Sequence, residues 1–272
     1  MTPLAAPLPP KAETCHNHGM LLLVQFLFRT SFGLTAAMAS VSPRQVTSGY
    51  YRNHLYVVLG MNFLGLLAAL SDPERFHVTP AAVAAALTYV GAVVWLYEGR
   101  QVGRVLLAAV AIVSLVGAWL ATPGLLGGSV NGLSPAALLL KWADAPSAGL
   151  LLGTTLAAMF LGHWYLNTPT MELTPLRRLL ALMMGAIVLR AIVCGVGLAL
   201  QYSTGTPPQA AFLALRWLAG LIGVAGLAAM AWATLKIPNT QSATGILYVA
   251  VVGVFIGELT SQLLSANLLF PV

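Results

Sequence analysis

The sequence is short of charge. Of its 272 residues only 7% are Asp, Glu, Lys or Arg, while 58% are hydrophobic. Soluble domains carry about 25% charged residues, because charge keeps their surface in water. That excludes a water-soluble globule and leaves a chain whose outer surface faces lipid; a mean hydropathy of +0.85 agrees. Cysteine is scarce too. Cys15 lies in a polar N-terminal stretch and Cys194 inside an apolar run, a placement that argues against a disulfide between them. No CxxCH occurs, so covalent c-type haem has no support. Walker, HExxH, DDxxD and GxSxG motifs are missing as well. With so few acids, a metal-dependent hydrolase or prenyl transferase lacks its ligands. The net charge of +6 is spread between apolar runs, without the clustered basic patch of a nucleic-acid binder. It suits topology and contact with anionic headgroups. The lipid bilayer is therefore the expected partner, with other membrane subunits as candidates and no nucleic acid.

What is present is a series of apolar runs. A bilayer core of about 30 Å takes about 20 residues as a helix, and backbone groups in lipid must pair within the segment. Eight runs qualify, over 20–40, 53–71, 80–97, 105–122, 147–166, 179–200, 210–235 and 242–264. They predict an all-α polytopic bundle of about eight transmembrane helices, 20–272, behind a polar N-terminal tail, 1–19. The tail is Pro-rich and carries Lys11 and Glu13. It lacks the basic start, apolar core and cleavage site of a signal peptide, so the first run is expected to stay as a span. Proline punctuates the runs: Asp72-Pro73-Glu74-Arg75 closes the second, Pro80 opens the third, Pro123 ends the fourth, Pro169 follows the fifth and Pro207-Pro208 precede the seventh. The longest connection, 124–146, has room for a short interfacial helix over Ser134–Trp142.

Lys and Arg in the loops set the orientation. Arg44, Arg52, Arg100, Arg104, Arg177, Arg178 and Lys236 follow the odd-numbered spans; Lys11, Arg75 and Lys141 lie on the other side. Seven against three puts both termini outside a bacterial-type plasma membrane, with spans 1–2, 3–4, 5–6 and 7–8 joined in the cytoplasm. The spans also divide into two four-helix halves. Pro43 and Arg52 are nine residues apart, as are Pro169 and Arg178, each pair entering an even-numbered span. Trp95 and Trp232 both lie near the ends of odd-numbered spans. Gly149 and Gly153, Gly253 and Gly257, and Gly220, Gly223 and Gly226 are small residues that let helices approach in lipid, and are assigned to packing.

Charges inside spans are costly, about +2.5 to +3.5 kcal/mol each near the helix centre, and mark the place to look for function. Arg29, Arg190, Arg216 and Glu258 are the four. Arg216 and Glu258 lie at matched depth on consecutive antiparallel spans, so they are expected to form an ion pair; Glu258 as a proton carrier is the alternative. Arg29 and Arg190 have no acid at matching depth. They either rest on backbone carbonyls and water or meet an anionic guest, which arginine's planar fork suits. A single intramembrane carboxylate argues against a cation-coupled transporter.

His54 and His163 lie at similar depth on different spans, which would suit bis-histidine ligation of a haem b, with Arg52 or Arg29 on its propionates. An aromatic-belt histidine beside Trp164 and Tyr165 is the plainer reading. Cys15, His16 and His18 are soft ligands packed tightly in the tail, where a preformed metal site is not expected, and His77 falls in an outer loop. Tyr165, Asn167, Asn239 and Gln241 are expected on the cytoplasmic side, where they would form one polar pocket, with Ser242 capping the last span. In span count the chain resembles the eight-helix haem-handling membrane proteins such as haem A synthases. Those carry four histidines over both halves, whereas this chain has two within its spans. Three functions follow: a membrane protein binding haem b or a quinone for an electron-transfer complex or its assembly, with His54, His163, Arg29 and Arg190 as cofactor contacts; a permease or exporter of a small anionic solute or lipid; and a non-catalytic scaffold subunit.

Overall fold

The computed structural model describes residues 10–71, 77–122, 125, 134–168, 171–237, 239–266 and 268–272, with side chains from residue 19 onward. Among these residues eight helices run in order: α1 (Pro10–Ser40), α2 (Ser48–Leu70), α3 (Val78–Leu96), α4 (Arg100–Leu120), α5 (Pro135–Asn167), α6 (Thr174–Ser203), α7 (Ala210–Thr234) and α8 (Thr240–Ser265). Each is long and apolar enough to cross a membrane, so the chain is an all-α multi-pass membrane protein. α1 reaches back to Pro10, into the stretch read as tail. The punctuating Pro123 and Pro169, the Asp72–Arg75 turn, and the side chains of Lys11, Cys15, His16 and His18 lie outside the described residues.

The fifth span departs from expectation. It starts at Pro135 rather than 147, so much of the supposed loop 124–146 is helix. Ser134 caps it by accepting from the Ala137 N–H at 3.2 Å, with Pro135 in the first turn. Pro146 sits inside the helix without ending it. A proline takes the donor from the carbonyl four residues earlier, here Trp142. That carbonyl accepts instead from the Trp119 indole N–H of α4, at 3.1 Å.

α5 is the axis of the bundle. Of its most apolar stretch 83% is buried, against 22–67% for the other spans. It packs on α1, α6 and α8. The α1–α5 crossing is close enough that a Cβ on Gly33 would overlap the Gly149 carbonyl, and one on Gly153 the backbone of Gly33. The Gly149 and Gly153 pair is thus a packing device, as its spacing suggested, and Gly33 is its partner. Gly220 and Gly257 make a second backbone-to-backbone crossing between α7 and α8, while Gly226 faces open space. Within each half the first helix packs on the second and fourth, and the third on the fourth. The halves α1–α4 and α5–α8 therefore repeat one arrangement and meet chiefly through α1 and α5. The hydroxyls of Thr30, Thr35, Thr154 and Thr155 bond back to carbonyls of their own helix, whereas those of Ser31 and Ser114 are buried without a partner among the described residues.

Candidate functional site

Five charged side chains from α1, α5, α6, α7 and α8 meet inside the bundle as one alternating chain: Arg29, Asp144, Arg190, Glu258, Arg216. The links are Arg29 Nη2 to Asp144 Oδ2 at 2.5 Å, Arg190 Nη1 to Asp144 Oδ1 at 2.6 Å, Arg190 Nη2 to Glu258 Oε2 at 2.8 Å and Arg216 Nη2 to Glu258 Oε1 at 2.9 Å. All five residues are buried. Buried charge is tolerable only when paired and hydrogen-bonded, and alternation of sign supplies that. Three cations against two anions leave one positive charge in excess.

The three arginines are not equivalent. Each nitrogen of Arg190 has a protein acceptor: Nε and Nη2 grip Glu258 as a fork, Nη1 also donates to Ser147 Oγ at 3.2 Å, and Nη2 also to Ser261 Oγ at 3.2 Å. It is the keystone of the chain, with nothing left over for a guest. Arg216 is half satisfied. Besides Glu258 it donates to Cys194 Sγ at 3.4 Å, but its Nε and Nη1 find no acceptor. Among the described residues Arg29 has Asp144 alone as a side-chain partner, and its Nε is likewise unpartnered.

At the Arg29 end lies a cavity of about 210 Å³. Gln25, Arg29, Lys141, Asp144 and Gln262 supply its polar wall, with Leu21, Leu22 and Phe270 among the apolar residues. Gln262 is buried, and neither its amide nitrogen nor its oxygen has a partner. Gln25 is held by a hydrogen bond to Thr122 at 2.9 Å. Arg29, Lys141 and Gln262 thus line the cavity, with the unpartnered Arg29 Nε and Gln262 amide atoms buried in its wall, while Asp144, the one acid among its described lining residues, is already shared between two arginines. The cavity's chemistry favours an anion or a strong hydrogen-bond acceptor.

The expected Arg216–Glu258 pair is present. The expectation that Arg29 and Arg190 lack an acid is corrected: Asp144 serves both, and among the described residues the bundle holds two buried carboxylates rather than one. The sequence hid Asp144 because Lys141, Asp144 and Pro146 together made the start of α5 look like a loop.

The structure gives the two histidines different surroundings. His54 is buried, its Nδ1 lies 2.6 Å from the Tyr50 carbonyl, and its ring stacks on Phe160 and tilts against Tyr50, both at 4.5 Å. His163 is exposed and bonds through Nδ1 to the Tyr248 hydroxyl of α8 at 3.2 Å. Arg52 is half-buried. Tyr165 is buried and donates to the Glu172 carbonyl, pinning the α5–α6 loop. Asn239, not Ser242, caps α8, by accepting from the Ser242 N–H at 3.0 Å. Asn167 and Gln241 are exposed. Among the described residues no cluster of three His, Cys, Asp or Glu is placed to hold a metal. Comparison with protein-family models, curated proteins and solved structures finds no match.

Proposed function

We propose that the protein is a permease or exporter of a small anionic solute or anionic lipid head, which enters the cavity beside Arg29. The observation that carries this reading is the end of that cavity: a buried guanidinium with an unpartnered Nε, next to Lys141 and the open Gln262 amide, in a charge chain with one positive charge in excess. A carboxylate or phosphate oxygen answers all three needs at once. It takes donors that lack acceptors, neutralises the excess charge, and competes with Asp144 for Arg29. Asp144 then keeps Arg190 as its remaining partner, so occupancy loosens the link between α1 and α5. Arg190 and Glu258 hold the frame against which this exchange occurs.

Proteoliposomes test the reading, with uptake measured for a panel of labelled monocarboxylates and phosphate esters. One class of anion should be carried, and Arg29→Gln should reduce its flux at least tenfold without altering the folded state. Flux unchanged by Arg29→Gln, in a panel member that the protein does carry, would remove the cavity from the route.

A quinone of an electron-transfer complex is the second reading, favoured by the apolar wall of Leu21, Leu22 and Phe270. The prenyl tail would lie there, with the quinone ring carbonyls toward Arg29 and Gln262. Haem b on His54 and His163 has less support, since the His54 ring already stacks on Phe160. A reduced-minus-oxidised spectrum of the purified protein tests it directly: an α-band of b type abolished by His54→Ala would favour haem, and a flat spectrum would remove it.

A further inference from the structure

A second basic groove lies at the opposite end of α1 and α4 from the cavity. Its volume is about 810 Å³, and Ser42, Arg44, Arg100, Gln101 and Arg104 form its polar side. The three arginines are exposed, and none forms an ion pair with a described residue.

The loop-charge rule places cations on this side, but no ion pair among the described residues accounts for their grouping. Arg100 and Arg104 are like charges one helical turn apart, which repel by position alone. They also occupy the first turns of α4, where the helix dipole is already positive and disfavours a cation. Arg44 adds a third charge from the α1–α2 loop. A phosphate among them reverses each of these costs, since it pairs with the guanidinium forks and sits at the favourable end of the dipole.

The rest of the groove says what carries the phosphate. Its floor is Ala39, Val105 and Ala108. Val105 is 65% exposed and Ile112, two turns further along, 64%. Residues 105, 108 and 112 share one face of α4, so the groove runs from three arginines at the rim onto an apolar strip along the lipid-facing side of the bundle. A soluble anion would use the rim alone. A phospholipid uses both parts.

We propose that this groove binds an anionic phospholipid, its phosphate among Arg44, Arg100 and Arg104 and an acyl chain along Val105, Ala108 and Ile112. The site is independent of the cavity at Arg29. Basic pockets between spans recognise anionic headgroups by this chemistry.

Native mass spectrometry of the full chain in mild detergent tests it, with phosphatidylglycerol and phosphatidylcholine of matched chains offered together. The comparison is the triple variant Arg44→Gln, Arg100→Gln, Arg104→Gln against a control, Arg52→Gln, Arg178→Gln, Lys236→Gln, which loses equal charge elsewhere on the same rim. Phosphatidylglycerol should outcompete phosphatidylcholine at least tenfold. That preference should vanish in the triple variant, persist in the control, and resist millimolar glycerol phosphate. Equal loss in both variants would reduce the groove to bulk charge and overturn the site. Displacement by glycerol phosphate would overturn the lipid as its source and leave a free phosphate ester. If the triple variant fails to fold, Arg104→Gln alone should cut the preference several-fold; no change there also overturns the proposal.

Discussion

Arg29 and Arg190 carry the same signature in sequence, a lone arginine inside an apolar run, and the structure separates them by what remains unbonded. Arg190 spends every nitrogen on Asp144, Glu258, Ser147 and Ser261. Removing it leaves two buried carboxylates short of their shared partner. Breaking a buried pair from one side costs about 3–5 kcal/mol, so Arg190→Leu should destabilise the fold outright rather than report on ligand. Arg29→Gln removes one charged hydrogen bond, about 1.5–3 kcal/mol, and leaves Asp144 on Arg190. Unfolding in mixed micelles should therefore rank Arg190→Leu well below Arg29→Gln, and equal destabilisation would refute the keystone role. The Arg216–Glu258 link was legible in sequence because both residues sit at equal depth on adjacent antiparallel helices. Asp144 was not, because depth reasoning applies only once a residue is known to lie in a span. A proline and a lysine beside Asp144 disguised the start of α5, and only the Trp119 bond to the Trp142 carbonyl shows how the helix tolerates them.

At the scale of the helix, α7 is the element that departs most from its apolar pattern. Leu218–Gly223 is wound as a π-helix, one residue beyond Arg216. Such segments are uncommon and concentrate at functional positions. Here the wider turn brings Gly220 against Gly257, with a Cβ at Gly220 lying 3.1 Å from Arg216 Nη1. The local geometry thus fixes both the helix crossing and the reach of Arg216 to Glu258 and Cys194. Nothing in Leu218-Ala219-Gly220-Leu221-Ile222-Gly223 signals π winding, since both helix types place apolar residues in lipid equally well. A Cβ on Gly220 would lie 2.5 Å from the Gly257 Cα, so Gly220→Ala should part α7 from α8 at this crossing and shift Arg216 with them. Arg216 then no longer covers Cys194, which is fully buried in the parent. In a Cys15→Ser background, maleimide labelling of Cys194 should become markedly faster. Labelling as slow as in the parent would mean that the Gly220–Gly257 crossing does not position Arg216.

For the whole molecule, eight spans put both ends of the bundle on one side, and the cavity beside Arg29 belongs to that side. Its wall includes Leu21 and Leu22 near the start of the membrane-spanning part of α1 (Gly19–Ser40), Thr122 after α4, and Ser265 and Ala266 at the end of α8. The three-arginine groove belongs to the other side, at the end of α1 and the start of α4. The span count was readable from apolar runs and proline punctuation, because lipid leaves a chain no choice but helix, while only the matched spacings of Pro43 with Arg52 and Pro169 with Arg178 hinted at two halves. How the halves meet was not readable, since Gly33 gives no sign that it lies against Gly149 and Gly153. The excess of Lys and Arg in the loops after odd-numbered spans predicts that the groove faces the cytoplasm and the cavity the outside. Single cysteines in a cysteine-free background decide this. Leu21→Cys should react with an impermeant maleimide on intact cells, and Gln101→Cys only after permeabilisation. That outcome would have the cavity take its anion from outside, as an importer or receptor does. The reverse would turn the molecule over. Arg29 would then be loaded from the cytoplasm, which suits an exporter, and the basic loops would stand as an exception to the charge rule.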